Sequence, residues 1–126
     1  MNTMVLIAGL IAAIATIGHF TAGIKMYLKP FLACDLDRLP KNVILSVFHY
    51  ISVFQTLSAF MLIMIGIRGN ECLYDPTLVL SFIGLNYGAF AIVQVVIALT
   101  SSVPDGLLKM FQWIFWALIS LFIFLG

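Results

Sequence analysis

Four long apolar stretches, at residues 4–27, 43–67, 77–100 and 107–125, occupy almost the whole of this 126-residue chain. Each approaches or exceeds the ~20 residues that carry a helix across ~30 Å of hydrocarbon. A backbone in lipid must satisfy its own hydrogen bonds, so a spanning segment is a helix or a strand of a closed barrel. Barrel strands alternate apolar and polar residues with a period of two, and these runs do not. The expected fold is therefore all-α, a polytopic membrane protein built as a bundle of four transmembrane helices. With 63% hydrophobic and 9% charged residues, and no connection longer than 28–42, nothing is left for a soluble domain. The chain reads as a single domain, residues 1–126.

No Lys or Arg precedes the first stretch, and its apolar run is too long for a secretory signal, so it is expected to stay in the membrane. Lys25, Lys29, Arg38, Lys41 and Lys109 flank the first and third connections, whereas the second has only Arg68. Basic loops face the cytoplasm. Both termini and the 68–76 connection are then external. Cys34 and Cys72 fall on opposite sides of the bilayer and cannot bridge within one chain; Cys72 remains available to another subunit in an oxidising compartment. The net charge of +1 carries no nucleic-acid footprint.

Small residues at helical spacing mark contacts between helices in lipid, where close packing replaces the hydrophobic drive. Ala8, Ala12, Ala15, His19 and Gly23 follow one another at 4, 3, 4 and 4 residues and share a narrow face of the first helix. His19 is accordingly expected to point into protein. Gly84, Gly88 and Ala91 form a second seam on the third helix, for packing within the subunit or for self-association. Gln94 and Gln112 are candidates for hydrogen bonds between helices, and Trp113 and Trp116 for packing against neighbours. Asp105 reads as an N-cap region for the fourth helix.

The second helix is the most polar. Ser46, His49, Ser52 and Thr56 recur at 3, 3 and 4 residues, with Gln55 and Ser58 alongside, and this stripe is expected to face inward. Hydroxyls in such a stripe can be structural glue, bonded to a neighbouring helix or to their own preceding carbonyls. The histidines raise a further question, because ionisable groups inside membrane spans tend to mark pathways or cofactors. His19 lies about 9 Å beyond Lys25, and His49 about 12 Å beyond Lys41, at ~1.5 Å per residue. The two imidazoles thus occupy similar levels on helices expected to be neighbours, and acidification should act on them as a pair. As satisfied hydrogen bonders they would be structural. Two histidines do not complete a zinc site, and no Cys, Asp or Glu within the spans adds a ligand, so no metal centre is expected. Nor do the spans hold paired carboxylates, a phosphate-binding glycine loop or a visible oxyanion hole. No catalytic residue is assigned. The 29–41 connection, bracketed by Pro30 and Pro40, reads as a tight solvated turn or a short amphipathic hairpin at the interface.

Gly18-His19-Phe20, Lys29-Pro30-Phe31-Leu32 and an early His49 in the second span resemble small bacterial four-helix inner-membrane proteins of uncharacterised function. The resemblance covers the first half of the chain and implies a bacterial inner-membrane location; it transfers no activity. Small multidrug transporters carry a glutamate in their first span, which is missing here, and the four-helix glutathione and eicosanoid enzymes carry charged and amide residues that these spans do not match.

Three functions are compatible with these residues. The first is a small homo-oligomeric transport or channel subunit, with His19, His49, Ser46, Ser52, Gln55 and Thr56 lining a proton-sensitive or small-solute path at a subunit interface. The second is a b-type haem protein with His19 and His49 as axial ligands. The third is an accessory subunit that joins a larger membrane complex through the seams of the first and third helices.

Overall fold

The computed structural model describes residues 1–69 and 75–126, which are largely helical, with no strand among them. Cys72 and most of the 68–76 connection lie outside the described residues. Helix α1 runs Thr3–Ala33, α2 Arg38–Arg68 and α3 Pro76–Thr100, and each is long and apolar enough to cross a bilayer. Beyond them come a single turn, α4 (Gly106–Lys109), and α5 (Trp113–Phe124).

The fourth apolar stretch is therefore not one spanning helix. At ~1.5 Å per residue, α5 covers only about 18 Å. Three local features break the stretch. Asp105 adopts a left-handed conformation (φ 57°) and makes no side-chain cap, contrary to the N-cap reading. Its carbonyl instead accepts from the backbone N–H of Leu108 and Lys109. Gly106 lies so close to α3 that a Cβ there would stand 2.5 Å from the Ala98 carbonyl oxygen. The turn at 110–112 is then held by the Trp113 indole N–H, which donates to the Leu107 carbonyl at 3.1 Å.

The 29–41 connection is shorter than its two prolines imply. Helix continues from Lys29 to Ala33 and resumes at Arg38, which leaves 34–37 as the turn. Pro40 falls in the first turn of α2, where a missing N–H is tolerated, whereas Pro30 lies near the end of α1.

Within α1, the stretch His19–Leu28 is π-helical, and the Lys29 N–H reaches back to the Ile24 carbonyl. Pro30 supplies the sequence reason: it has no N–H for the Met26 carbonyl and its ring crowds that oxygen. Widening the preceding turns relieves the clash. It also shifts the helical phase from His19 onward, while ahead of it the anticipated face is only partly kept. Ala8, Ala12 and Gly23 are buried, but Ala15 and His19 are half-buried, and Gly9 and Thr16 take their place against α2.

The helices are arranged as two hairpins. α1 packs extensively along α2, α3 along α5, and the hairpins join mainly through α1 and α5; α2 and α3 meet at few points. Close backbone approach makes the first hairpin: a Cβ on Gly66 would stand 2.6 Å from the Leu6 Cα, and one on Gly9 2.8 Å from the Ile63 nitrogen. The Asn2 N–H donates to the Gly66 carbonyl at 2.8 Å across the same crossing. In the second hairpin the Ser120 hydroxyl donates to the Gly84 carbonyl at 2.9 Å, and Phe124 and Ser120 fill the notches at Gly84 and Gly88. That seam is thus occupied by the chain itself, with Ala91 buried further along it. Between the hairpins lies a core that includes Val5, Ala8, Ala12, Leu62, Ile65, Tyr87 and Ile119. The outer surface carries large apolar side chains such as Ile17, Leu57, Leu78, Leu85 and Ile92, as lipid contact requires. Asn2 Nδ2 donates to the Gly126 carbonyl at 2.9 Å, so both termini lie at one end of the bundle.

Candidate functional site

The polar stripe of α2 divides into two faces. Ser52, Gln55 and Ser58 are buried, whereas His49 and Thr56 are exposed on the outer surface and Ser46 is half-buried. The expectation that the whole stripe faces inward is corrected accordingly. At ~100° per residue, positions 49 and 56 flank the face that α1 covers, and the close crossing at Gly66 fixes which face that is. Most of the hydroxyls bond along their own helix. Ser46 donates to the Asn42 carbonyl (2.9 Å), Ser52 to Phe48 (3.0 Å) and Thr56 to Ser52 (2.8 Å).

His19 and His49 occupy similar levels but point to different sides. The imidazole of His19 stacks on the Phe48 ring at a centroid distance of 4.0 Å, and Phe48 meets His49 edge-on at 5.7 Å. His19 Nε2 lies 2.9 Å from the Ser52 hydroxyl. A bis-histidine haem does not fit this pair, because the Phe48 ring lies against both imidazoles and Ser52 holds the nitrogen that would bind iron. Among the described residues, no group of three or more His, Cys, Asp or Glu side chains could hold a metal ion.

Beside His19 an apolar cavity of about 230 Å³ lies between α1, Phe48 of α2 and the start of α5. Its α1 wall is cut back by Ala15, Gly18, Ala22 and Gly23, and the opposite walls carry the rings of Phe48, Phe111, Phe115 and Trp116. His19, Tyr27 and Gln112 supply its hydrogen-bonding groups. Tyr27 and Gln112 belong to a chain of bonds linking α1, α3 and α5. The Trp116 indole donates to Gln94 Oε1 (3.0 Å), Gln94 Nε2 to Gln112 Oε1 (2.8 Å), and Gln112 Nε2 to the Tyr27 oxygen (3.1 Å). Both glutamines thus bond between helices, as their positions implied.

Proton counting gives each polar group of the cavity a role. The Ser52 hydroxyl has one proton and lies close to both the Phe48 carbonyl and His19 Nε2; in the tautomer where that proton goes to the carbonyl, Nε2–H is the donor to Ser52. In the neutral ring Nδ1 is then an acceptor. Nδ1 lies on the Gly23 side, 3.8 Å from where a Cβ on that residue would stand. The Tyr27 oxygen accepts from Gln112 and keeps its own proton to donate. One wall of the cavity therefore offers an acceptor at His19 and a donor at Tyr27.

A second, shallower groove of about 300 Å³ runs over the outside of α1 and α2, lined by Phe20, His49, Ser52, Val53, Thr56 and Leu57. Ser52 borders this groove and bonds to His19 of the cavity. Sequence reasoning found His19, Ser52 and Gln112 but missed Tyr27, Phe48 and Trp116 as cavity walls. An aromatic residue near a span end carries no mark of the bond it makes.

The fold and this cavity define a membrane-embedded, all-helical protein with a small apolar site beside a histidine. No protein family model, curated protein or solved structure matches the chain.

Proposed function

We propose that this chain is a small membrane transport or carrier subunit whose His19 cavity takes up, from the bilayer, a small and mainly apolar molecule with a hydroxyl head. The carrying observation is the donor and acceptor, Tyr27 O–H and His19 Nδ1, set on an otherwise apolar wall. A hydroxyl both donates and accepts, so it satisfies both groups, whereas a hydrocarbon leaves both unpaired. The volume of about 230 Å³ lies below the ~300–1,000 Å³ of drug-sized sites, which favours a short chain or a single ring. The basic residues near the α1–α2 turn, with Lys109, support an orientation in which that turn is cytoplasmic and the termini external. A bacterial inner-membrane location belongs to the same proposal.

Trp116 lines the cavity and reports on its occupant. In nanodiscs carrying a Trp113→Phe background, a bromoalkanol is expected to quench Trp116 emission at about tenfold lower concentration than the bromoalkane of equal length, a difference of ~1.4 kcal/mol. His19→Phe and Tyr27→Phe should each reduce that preference. Equal quenching by the two compounds would remove the basis of the proposal.

The outer groove favours a second reading, a homo-oligomeric path for protons or small solutes. His49 and Thr56 are exposed where lipid would otherwise meet them, and polar groups in lipid are normally covered by protein. On this reading His49, Ser52 and Thr56 line an interface between copies, with Ser52 linking them to His19. Proton flux into proteoliposomes should fall severalfold when His49 or His19 is replaced by alanine; unchanged flux in the double variant sinks it.

A further inference from the structure

Two oxygens inside the bundle are buried with no hydrogen-bond partner among the described residues, Gln55 Oε1 and the Tyr87 hydroxyl. Gln55 is 1% exposed and Tyr87 0%. They come from α2 and α3, whose backbones approach each other at few points. Neither side chain is free to swing away. The Tyr87 ring stacks on Trp116 at a centroid distance of 5.5 Å and contacts Phe54 at 5.6 Å. Ser58, one turn beyond Gln55 and itself buried, lies within reach of the Tyr87 phenol without meeting hydrogen-bond geometry.

An unpaired polar group in a membrane interior costs several kcal/mol, and nearly all buried polar groups in folded proteins have a partner. We infer that Gln55, Ser58 and Tyr87 form a hydration site, in which one internal water bridges α2 to α3. A buried water makes two to four hydrogen bonds and needs a polar lining. Here it accepts the Tyr87 hydroxyl proton and donates one of its own to Gln55 Oε1 and the other to the Ser58 oxygen. An inorganic cation would need more negative charge, and the described helices α1, α2, α3 and α5 contain no Asp or Glu. The inference is independent of what the His19 cavity binds. It gives the α2–α3 seam a polar bridge beside the aromatic contacts of Phe54 with Tyr87 and Phe90.

Glutamine occurs only at 55, 94 and 112, so side-chain ¹⁵N labelling of glutamine gives three amide signals, and Gln55→Leu assigns the first. Water-edited solid-state NMR of the protein in bilayers is expected to show magnetisation passing from water to the Gln55 amide, with loss of that transfer in Tyr87→Phe. Absence of transfer in the unmodified chain overturns the site, and so does transfer that survives Tyr87→Phe. The unmodified chain alone decides the first point if a variant fails to fold. A double-mutant cycle adds a second readout: Gln55→Leu and Tyr87→Phe should each lower the unfolding midpoint, with the double variant no worse than the weaker single one. If each substitution raises the midpoint and the effects add, the two oxygens are independent and the bridge is wrong.

Discussion

Gly66→Ala is expected to destabilise the bundle by about 3 kcal/mol, the upper end for overpacking a well-fitted interior. The added methyl would stand 2.6 Å from the Leu6 Cα and 2.7 Å from its nitrogen. Both are backbone atoms, so no side chain can turn aside and α1 must move bodily away from α2. That movement stretches the 2.8 Å bond from the Asn2 N–H to the Gly66 carbonyl and loosens the packing at Gly9. Lipid supplies no compensating hydrophobic drive, since close packing is what holds these helices together. Gly18→Ala is the control. Its Cβ would meet nothing within 4 Å, and alanine is the better helix former by up to ~1 kcal/mol, so that variant should be neutral or slightly stabilised. Reversible unfolding in mixed micelles separates the two, and equal effects would show that the helices do not cross so closely.

Gln94→Leu should cost about 2 kcal/mol, by a different mechanism. Gln94 accepts from the Trp116 indole and donates to Gln112, so its loss leaves an N–H and a carbonyl unpaired at the junction of three helices. A hydrogen bond between membrane helices averages ~0.6 kcal/mol, but a stranded buried partner adds ~1–3 kcal/mol. The substitution also acts on the cavity, because Gln112 would be free to release Tyr27 and Trp116 forms one wall. In the Trp113→Phe background the emission of Trp116 should shift as its indole loses its acceptor. Unchanged emission together with unchanged stability would mean that this bond chain does not form in the membrane.

The three long helices were legible in the sequence because hydropathy over some twenty residues reports directly on transfer into lipid. The fourth was overread for the same reason. Residues 107–125 are apolar throughout, but the break at 110–112 depends on a left-handed Asp105, the Gly106 contact with Ala98 and the Trp113 indole, none of which hydropathy sees. Facing was harder still. Two stripes on α2, one through His49 and Thr56 and one through Gln55 and Ser58, share Ser52, and periodicity ranks them equally. Their choice is made by Gly66 and Gly9, whose close approach belongs to the folded pair of helices. The π-helical stretch then shifts the phase beyond His19, so a count at ~3.6 residues per turn does not carry through to Tyr27. The bond chain of Gln94 and Gln112 was anticipated, since amides in a span must find partners, but Tyr27 as its terminus depends on that same shifted phase.

The division into two hairpins has a mechanical consequence. Any rocking of one hairpin against the other would pivot on the α1–α5 contact, where the hairpins approach most closely, and would work against the contacts of Phe54 with Tyr87 and Phe90 at the opposite seam. The cavity walls are split across that pivot, with His19 and Tyr27 on one hairpin and Phe111, Phe115 and Trp116 on the other. Opening the far seam would therefore change the cavity mouth in the same motion, and a molecule bound there as proposed would act as a wedge whose size sets the angle between the hairpins.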